Sequence, residues 1–291
     1  MTHRIAIATC DALLPDGDRG DGPLFDHLHV QGVQPTVVSW SDPAVEWDSF
    51  DLTLIRSTWD YSARRADFLA WLASVPRLHN PAEVVAANTD KVYLRALAAA
   101  GVPVVPTVFV EPGEEVLLPE AGEFVIKPSV GAGSRGAGRF AADQAGDLDR
   151  AAKHAEQLHG AGRTLMIQPY LAGVDTAGET ALIFLDGEFS HSIRKGRMLG
   201  QGDSFEVDGP SLFIEENISP CRPSAAELDT AGRALDQLAP DGPLLYARID
   251  LIPSDDGPVV IEAELTEPSL FLDVEPAAAQ RLATAILARL G

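Results

Sequence analysis

Four glycines, Gly131, Gly133, Gly136 and Gly138, fall within eight residues, directly after the apolar run Phe124-Val-Ile-Lys-Pro128. Glycine has no Cβ, so such a loop can turn tightly and bring several backbone N–H groups to one anion. The spacing Gly131-x-Gly133-x-x-Gly136 matches a dinucleotide fingerprint, but that loop must open into a helix. Here Arg139-Phe140 reads as a return strand, so a hairpin flap is predicted. No Gly-Lys-Ser/Thr follows, which excludes a P-loop. Lys127 lies on the strand leading in, where a cation can pair with a phosphate as a point charge. Lys127 and the loop residues Gly131, Gly133, Ser134, Arg135 and Gly136 are therefore candidate phosphate contacts. A plain surface hairpin with an ordinary lysine is the alternative.

Around this loop the chain reads as α/β. The first third alternates strand signals at Arg4–Thr9, Thr36–Trp40 and Leu52–Arg56 with helical patterns, notably Ala66–Ala73. Alternation of that kind predicts a parallel sheet, with functional residues past the strand C-termini. Two segments then share one edge, Cys10 to Pro23 and Arg56 to Tyr61. Asn80-Pro81 breaks the pattern, and Asn88 or Thr89 is read as the cap of a helix from Asp90 to Ala100, ended by Gly101. Further strands are predicted at Thr107–Val110, Glu123–Lys127 and Thr164–Gln168, with a helix near Asp147–Leu158. Asp186-Gly187 between apolar runs predicts a hairpin of Thr180–Leu185 with Glu188–Ile193. Ser224 with Glu227 forms a capping box. Strands at Leu244–Ile252 and Pro258–Glu264 and a helix from about Pro276 to Leu290 complete the chain. The expected units are residues 1–87, 88–170 with the glycine flap as a central lid, and 171–291.

The net charge of −21 and a pI near 4.5 disfavour nucleic acid and anionic membranes as partners. A chain this acidic that binds a polyanion must gather its few cations in one place and supply metal ions. No apolar stretch of about 18 residues occurs, and the N-terminus lacks a signal peptide's long apolar region. A cytoplasmic protein is expected. The two cysteines, Cys10 and Cys221, are too far apart for a disulfide framework or a metal motif. Cys10 follows a predicted strand and could line a pocket.

A second signal lies near the C-terminus. Arg248 and Asp250 sit two apart on one predicted strand, and Glu262 and Glu264 two apart on the next. Strand side chains alternate in direction, so each pair shares a side. Should the strands pair, three carboxylates and an arginine converge. Buried like charges need cations, and oxygen ligands suit Mg²⁺ or Mn²⁺. Arg248 would then neutralise oxygen charge that develops during acyl transfer. A solvated acidic strand edge is the alternative.

In this order, the segments resemble the ATP-grasp superfamily in its glutathione-synthetase-like branch. The likeness runs from Asn88 to Pro268: a capped helix with Lys91, FVIKP with its glycine loop, Gln168-Pro-Tyr, Arg-x-Asp and Glu-x-Glu. It implies an ATP-grasp fold, with an N-terminal parallel-sheet domain, a central lid and a C-terminal mixed-sheet domain. It further implies ATP with Mg²⁺ or Mn²⁺, and activation of a carboxylate as an acyl phosphate that is joined to nitrogen. Carried over by position, Lys91 and Lys127 would contact phosphates. Gln168, Pro169, Tyr170 and Leu171 would hold adenine, with Asp175 near the ribose. Asp250, Glu262 and Glu264 would hold two metal ions, and Arg248, Lys195 and Arg194 would face the reacting phosphoryl group. Gln168 stands where many relatives have Glu, and Glu264 where many have Asn, which adds negative charge at the metals.

The substrate is expected to be a small amino-acid-like molecule. Arg56, Ser57, Thr58 and Asp60 follow a predicted strand and suit a zwitterion, Arg56 for the carboxylate and Asp60 for the ammonium. A structural turn is the alternative. The segments RSTWDY, QPYLAGVDTAGETALIF, SHSIRK and EAELTEPSLF are similar to those of the cyclo-ligases that form D-cycloserine. That resemblance implies O-ureido-D-serine as substrate. The other readings are an intermolecular carboxylate–amine ligase and a non-catalytic nucleotide-binding module. A homodimer is possible.

Overall fold

The computed structural model describes residues 3–196, 203, 217–275 and 277–290. The elements in chain order are β1 Arg4–Thr9, α1 Gly22–Val30, β2 Gln34–Ser39, β3 Leu52–Ser57, α2 Arg65–Ser74, β4 Leu78–His79, α3 Ala82–Asn88 and α4 Tyr93–Ala99. Next come β5 Val108–Val110, β6 Glu123–Pro128, β7 Gly138–Ala141, α5 Asp147–Gly160, β8 Leu165–Pro169 and α6 Gly173–Ala177. The last are β9 Glu179–Leu185, β10 Glu188–Lys195, β11 Ile218–Pro220, α7 Ala225–Leu238, β12 Tyr246–Ser254, β13 Gly257–Glu264 and α8 Ala278–Leu290. The expected helix start at Pro276 lies outside the described residues.

Among the described residues the strands form three sheets. The first is parallel, in the order β2-β1-β3-β4. Its central strands are apolar on both sides because both sides are covered. Ile5, Ile7 and Leu54 pack with Leu24 and Leu28 of α1 and Leu282 and Ile286 of α8. Ala8 and Ile55 pack with Trp40, Phe68 and Trp71. The second sheet, β5-β8-β6-β7, is antiparallel. Phe124, Ile126 and Phe140 bury one face under Ala151, Ala155 and Leu158 of α5. β6 and β7 flank the glycine loop, so it is the tip of a hairpin, as its sequence predicts.

The third sheet runs β11-β10-β9-β12-β13, antiparallel. β9 divides its side chains between two cores. Ala181, Ile183 and Leu185 face α8 and the parallel sheet. Leu182 and Phe184 face α7 and α4. The period-2 geometry of a strand makes that split. Asp186 and Gly187, both at positive φ, close the β9–β10 hairpin. Ser224 Oγ accepts from Glu227 N at 3.2 Å and Glu227 Oε2 from Ser224 N at 2.7 Å, starting α7. A cap of this kind is worth about 1 kcal/mol.

One expected helix is corrected. Asn88 does not cap a helix over Asp90–Ala100; it ends α3, and α4 begins at Tyr93. Asn88 Nδ2 donates to the carbonyl of Ala263 and Oδ1 accepts from Leu265 N, both at 2.8 Å. Backbone groups along β13 need partners, and an amide side chain supplies a donor and an acceptor together. Asn80 does the same for Leu245, Tyr246 and Leu265.

Candidate active site

The third sheet brings the C-terminal acids together. In the β12–β13 register Arg248 lies opposite Glu264, and Asp250 opposite Glu262. Arg248 donates to Asp250 from Nε and Nη2, each at 2.9 Å, and to Glu264 Oε1 at 2.5 Å. Lys195, ending β10, reaches Glu179 Oε1 and Asp250 Oδ2, both at 2.8 Å. Lys91 Nζ lies 3.0 Å from Glu262 Oε1 and donates to the carbonyl of Gly131 at 2.7 Å.

Burial and charge set opposite fates for these acids. Burial pushes the Asp250 carboxyl up, but Arg248 and Lys195 outweigh it and hold it well below the usual range. Burial pushes Glu264 up to about 8; Arg248 opposes, while Glu262 and Asp250 add to the rise. Glu179 is pushed up to about 7 by burial, against the pull of Lys195. Glu262 is held low although burial raises it, because Lys91 and Lys127 stand beside it.

The chain contains four lysines, and Lys91, Lys127 and Lys195 line one cleft. Among the described residues, Lys127 has no carboxylate within ion-pair distance. Burial lowers its pKa, Glu262 opposes the fall and Lys91 adds to it. An anion in the cleft would restore its charge balance.

Gly131, Gly133, Ser134 and Arg135 of the flap line the same cleft, as do Gln168, Pro169, Tyr170 and Leu171. Val105, Ile252 and Ile261 add apolar wall beside them. The cavity measures about 180 Å³. Arg135 Nη2 also donates to the carbonyl of Trp59 at 2.8 Å and to Ser62 Oγ at 3.2 Å, tying the flap to the loop after β3. Gln168 Nε2 donates to Thr107 Oγ1 at 2.8 Å, so that amide nitrogen is held by the neighbouring strand's end.

Several candidates sit elsewhere. Gly136 is not in the lining; a Cβ there would meet Pro128 Cδ at 3.1 Å and Leu158 Cδ2 at 3.3 Å, so it serves packing. Asp175 accepts from the Tyr170 hydroxyl at 2.7 Å, outside the lining. Arg194 lies one residue from Lys195 and so on the opposite side of β10. Its Nη1 is 4.0 Å from Glu227 Oε1 on α7, away from the cleft.

Arg56 is corrected most. It is 1% exposed and anchored within the protein, with Nη2 2.8 Å from Asp21 Oδ1 and Nη1 3.0 Å from the carbonyl of Pro268. Ser57 shares a 2.6 Å hydrogen bond with Thr9, and Thr58 is buried. Asp60 accepts from Trp40 Nε1 at 2.8 Å and pairs with Arg64. Cys10 is buried, outside either cavity lining. The segment past β3 does reach a cavity, but through Trp59 and Tyr61.

That cavity is a chamber of about 560 Å³ adjoining the cleft. Lys91, Gly131, Gly133, Arg248, Glu262 and Glu264 line both. Its other walls include Asp18, Arg19, Glu267, Ser269 and Phe271. Sequence reading did not single these out, although Glu267 lies three residues past β13, inside a segment already flagged.

Among the described residues, no three Asp, Glu, His or Cys side chains form a ready ligand cage. Asp250, Glu262 and Glu264 instead each engage a lysine or arginine. The donor set nevertheless suits a hard divalent cation: these are oxygen donors, and Glu264 and Glu179 carry charge that burial disfavours.

Residues 5–80 match the family of the N-terminal domain of D-cycloserine synthetase DcsG. The chain is 37% identical to the cycloserine biosynthesis protein DcsG of Streptomyces lavendulae over 300 residues, covering 98% of each. It superposes on the crystal structure of D-cycloserine synthetase DcsG with a TM-score of 0.87 at 35% identity, over 99% of this chain and 100% of that one. D-alanine–D-alanine ligase from Bacillus anthracis, solved with ATP, gives 0.68 at 15% identity over 99% and 97%. The ATP-grasp ligase PsnB gives 0.63 at 19% over 99% and 100%. These two share the fold. Among the described residues no helix is long and apolar enough to cross a membrane. With the fold matched end to end and more than a third of the residues identical across it, the chain belongs to the D-cycloserine synthetase family, and its fold is that of the ATP-grasp ligases.

Proposed function

We propose that the protein closes the ring of D-cycloserine from O-ureido-D-serine, at the expense of ATP. The observation that carries this reading is the junction of two cavities at Arg248, Lys91 and Glu262. A nucleotide in the cleft and an amino acid in the chamber would meet there.

In this reading Lys127 and the flap N–H groups hold phosphates, and Lys91 and Lys195 add charge as the γ-phosphoryl group moves. The strand from Gln168 to Leu171 offers backbone groups and an apolar slot to adenine. Asp250, Glu262 and Glu264 would hold Mg²⁺ or Mn²⁺, which supplies charge neutralisation at the phosphate oxygens. Arg248 steadies the substrate carboxyl as its oxygen attacks the γ-phosphorus and ADP leaves. The ureido nitrogen next to oxygen then attacks the acyl carbon, its proton is lost, and phosphate departs as the ring closes. Water removes the carbamoyl group as CO₂ and ammonia. The balance is O-ureido-D-serine, ATP and water giving D-cycloserine, ADP, phosphate, CO₂ and ammonia. Attack within one molecule requires no second amine pocket and gains from proximity. Every group invoked comes from one chain, and the cytoplasm, where ATP is at hand, is the natural site.

The test is product analysis with ATP, Mg²⁺ and O-ureido-D-serine alone. Ring product with stoichiometric phosphate supports the reading. ADP release only after a second amine is added would assign an intermolecular carboxylate–amine ligase instead.

A further inference from the structure

The chamber holds two acids without a role in the scheme above, Asp18, which is only partly buried and accepts from Gly20 N, and Glu267. Glu267 is 7% exposed, yet it forms part of the chamber wall. Among the described residues, no lysine, arginine or histidine lies within ion-pair distance of its carboxylate. The nearest cations are engaged elsewhere, Lys91 with Glu262 and Arg248 with Asp250 and Glu264. A carboxylate buried without a cation is unfavourable, so a cationic ligand gains most by binding beside it.

The backbone that carries Glu267 is clamped. Trp59 Nε1 donates to the carbonyl of Glu267 at 3.4 Å, and Arg56 Nη1 to that of Pro268 at 3.0 Å. Two consecutive carbonyls are thus fixed by side chains from β3 and the loop after it. That is the role Arg56 has in place of substrate binding. Trp59, Tyr61 and Phe271 share the chamber wall, and aromatic faces favour a cation near them.

We infer that Glu267 binds the α-ammonium of the substrate and so selects amino acids over simple carboxylic acids. The inference rests on the proposed function and names the group that reads its substrate. In an α-amino acid the ammonium and the carboxyl hang from one carbon. An acid that binds the ammonium must therefore line the same chamber as Arg248 and Glu264, and Glu267 does.

The experiment compares wild type with Glu267→Gln, a neutral side chain of the same shape. O-ureido-D-serine and its des-amino analogue are the substrates. Loss of one charge-assisted contact should raise KM for the amino acid by about 10- to 100-fold while KM for ATP holds. Preference for the amino acid over the analogue should collapse, and Glu267→Asp should recover part of it. A thermal melt guards against a folding defect: removing an unpaired buried charge should not lower Tm. An unchanged preference overturns the inference, as does a fall in kcat at constant KM, which would make Glu267 a proton acceptor. If wild type forms no ring product, the cyclisation reading fails by itself. ADP release across amino acids and their des-amino forms, in wild type against variant, then still decides the ammonium assignment.

Discussion

Arg56→Met separates a structural arginine from a substrate-binding one. Arg56 Nη2 and Asp21 Oδ1 are 2.8 Å apart, and both side chains are 1% exposed. At an effective dielectric constant of about 20, unit charges at that distance attract by about 6 kcal/mol. Desolvation of the two ions offsets much of this. The variant removes only the cation and leaves Asp21 buried alone, which costs about 3–5 kcal/mol. At roughly 2 °C per kcal/mol for a chain of this size, Tm should fall by about 6–10 °C.

The defect should depend on pH with a definite sign. Burial pushes the Asp21 carboxyl above its ordinary value, and Arg56 opposes the push. Without Arg56 the folded-state pKa rises further, so the fold binds the Asp21 proton more tightly than the unfolded chain does. Stability is then retained at low pH and lost as pH rises through the raised value. The gap between wild type and variant should widen from acid to neutral pH in thermal melts. Adding Asp21→Leu should recover much of the loss, since the orphaned charge goes with it. Wild-type Tm together with a KM for the amino acid raised by about tenfold or more would refute the argument and restore Arg56 as a substrate ligand.

Three further outcomes follow from the geometry. Because burial raises Glu179 to about 7 and Glu264 to about 8, their stabilising protons are lost as pH rises through that window. The nucleotide-free protein should therefore melt at lower temperature as pH passes from about 5 to 8, and a rising Tm would contradict the burial of these acids. Gly178→Ala places a Cβ 2.5 Å from the Lys195 carbonyl at φ +72°. It should cost about 1–3 kcal/mol in denaturant melts and lower kcat through Lys195, and an unchanged melt would reject the close approach. Arg194→Ala should leave KM for ATP at its wild-type value; a rise of about tenfold would return that side chain to the phosphates.

What could be read from the sequence was whatever depends on local periodicity. A two-residue repeat is enough to place Arg248 with Asp250 and Glu262 with Glu264, and the β12–β13 register then sets them opposite one another. The flap could be read because a glycine loop followed by a strand cannot be a helix start. Arg56 was misread for the opposite reason. Its position past a strand is local, but its partners are Asp21 and Pro268, at separations of 35 and 212 residues. No spacing rule reports which distant carboxylate will share its burial. Asn88 shows the same limit, since one amide can cap a helix or satisfy a strand edge, and only the packing of α3 on β13 decides. The chamber escaped because its walls come from the loops after β1, β3 and β13, from the flap and from β11.

The charge pairing in the cleft leads to a last prediction. In the proposed reaction a chain of net charge −21 must admit a nucleotide that is itself a polyanion. Its cleft cations are mostly taken: Lys91 by Glu262, Lys195 by Glu179 and Asp250, and Arg248 by Asp250 and Glu264. Each can turn to a phosphate only at the price of leaving a buried carboxylate without a partner, and an uncompensated buried charge costs about 3–5 kcal/mol. The exchange becomes favourable when those carboxylates gain another cation at the same time. Nucleotide and divalent metal should therefore bind as a coupled pair. A coupling of even about 3 kcal/mol makes ADP roughly 150-fold weaker without metal. Calorimetric titration of ADP with Mg²⁺ and with EDTA measures it directly. Glu262→Gln, which frees Lys91 from its partner, should weaken the metal dependence. Equal ADP affinity with and without metal would mean that Lys127 and the flap suffice, and that the acidic strand pair serves the fold and not the nucleotide.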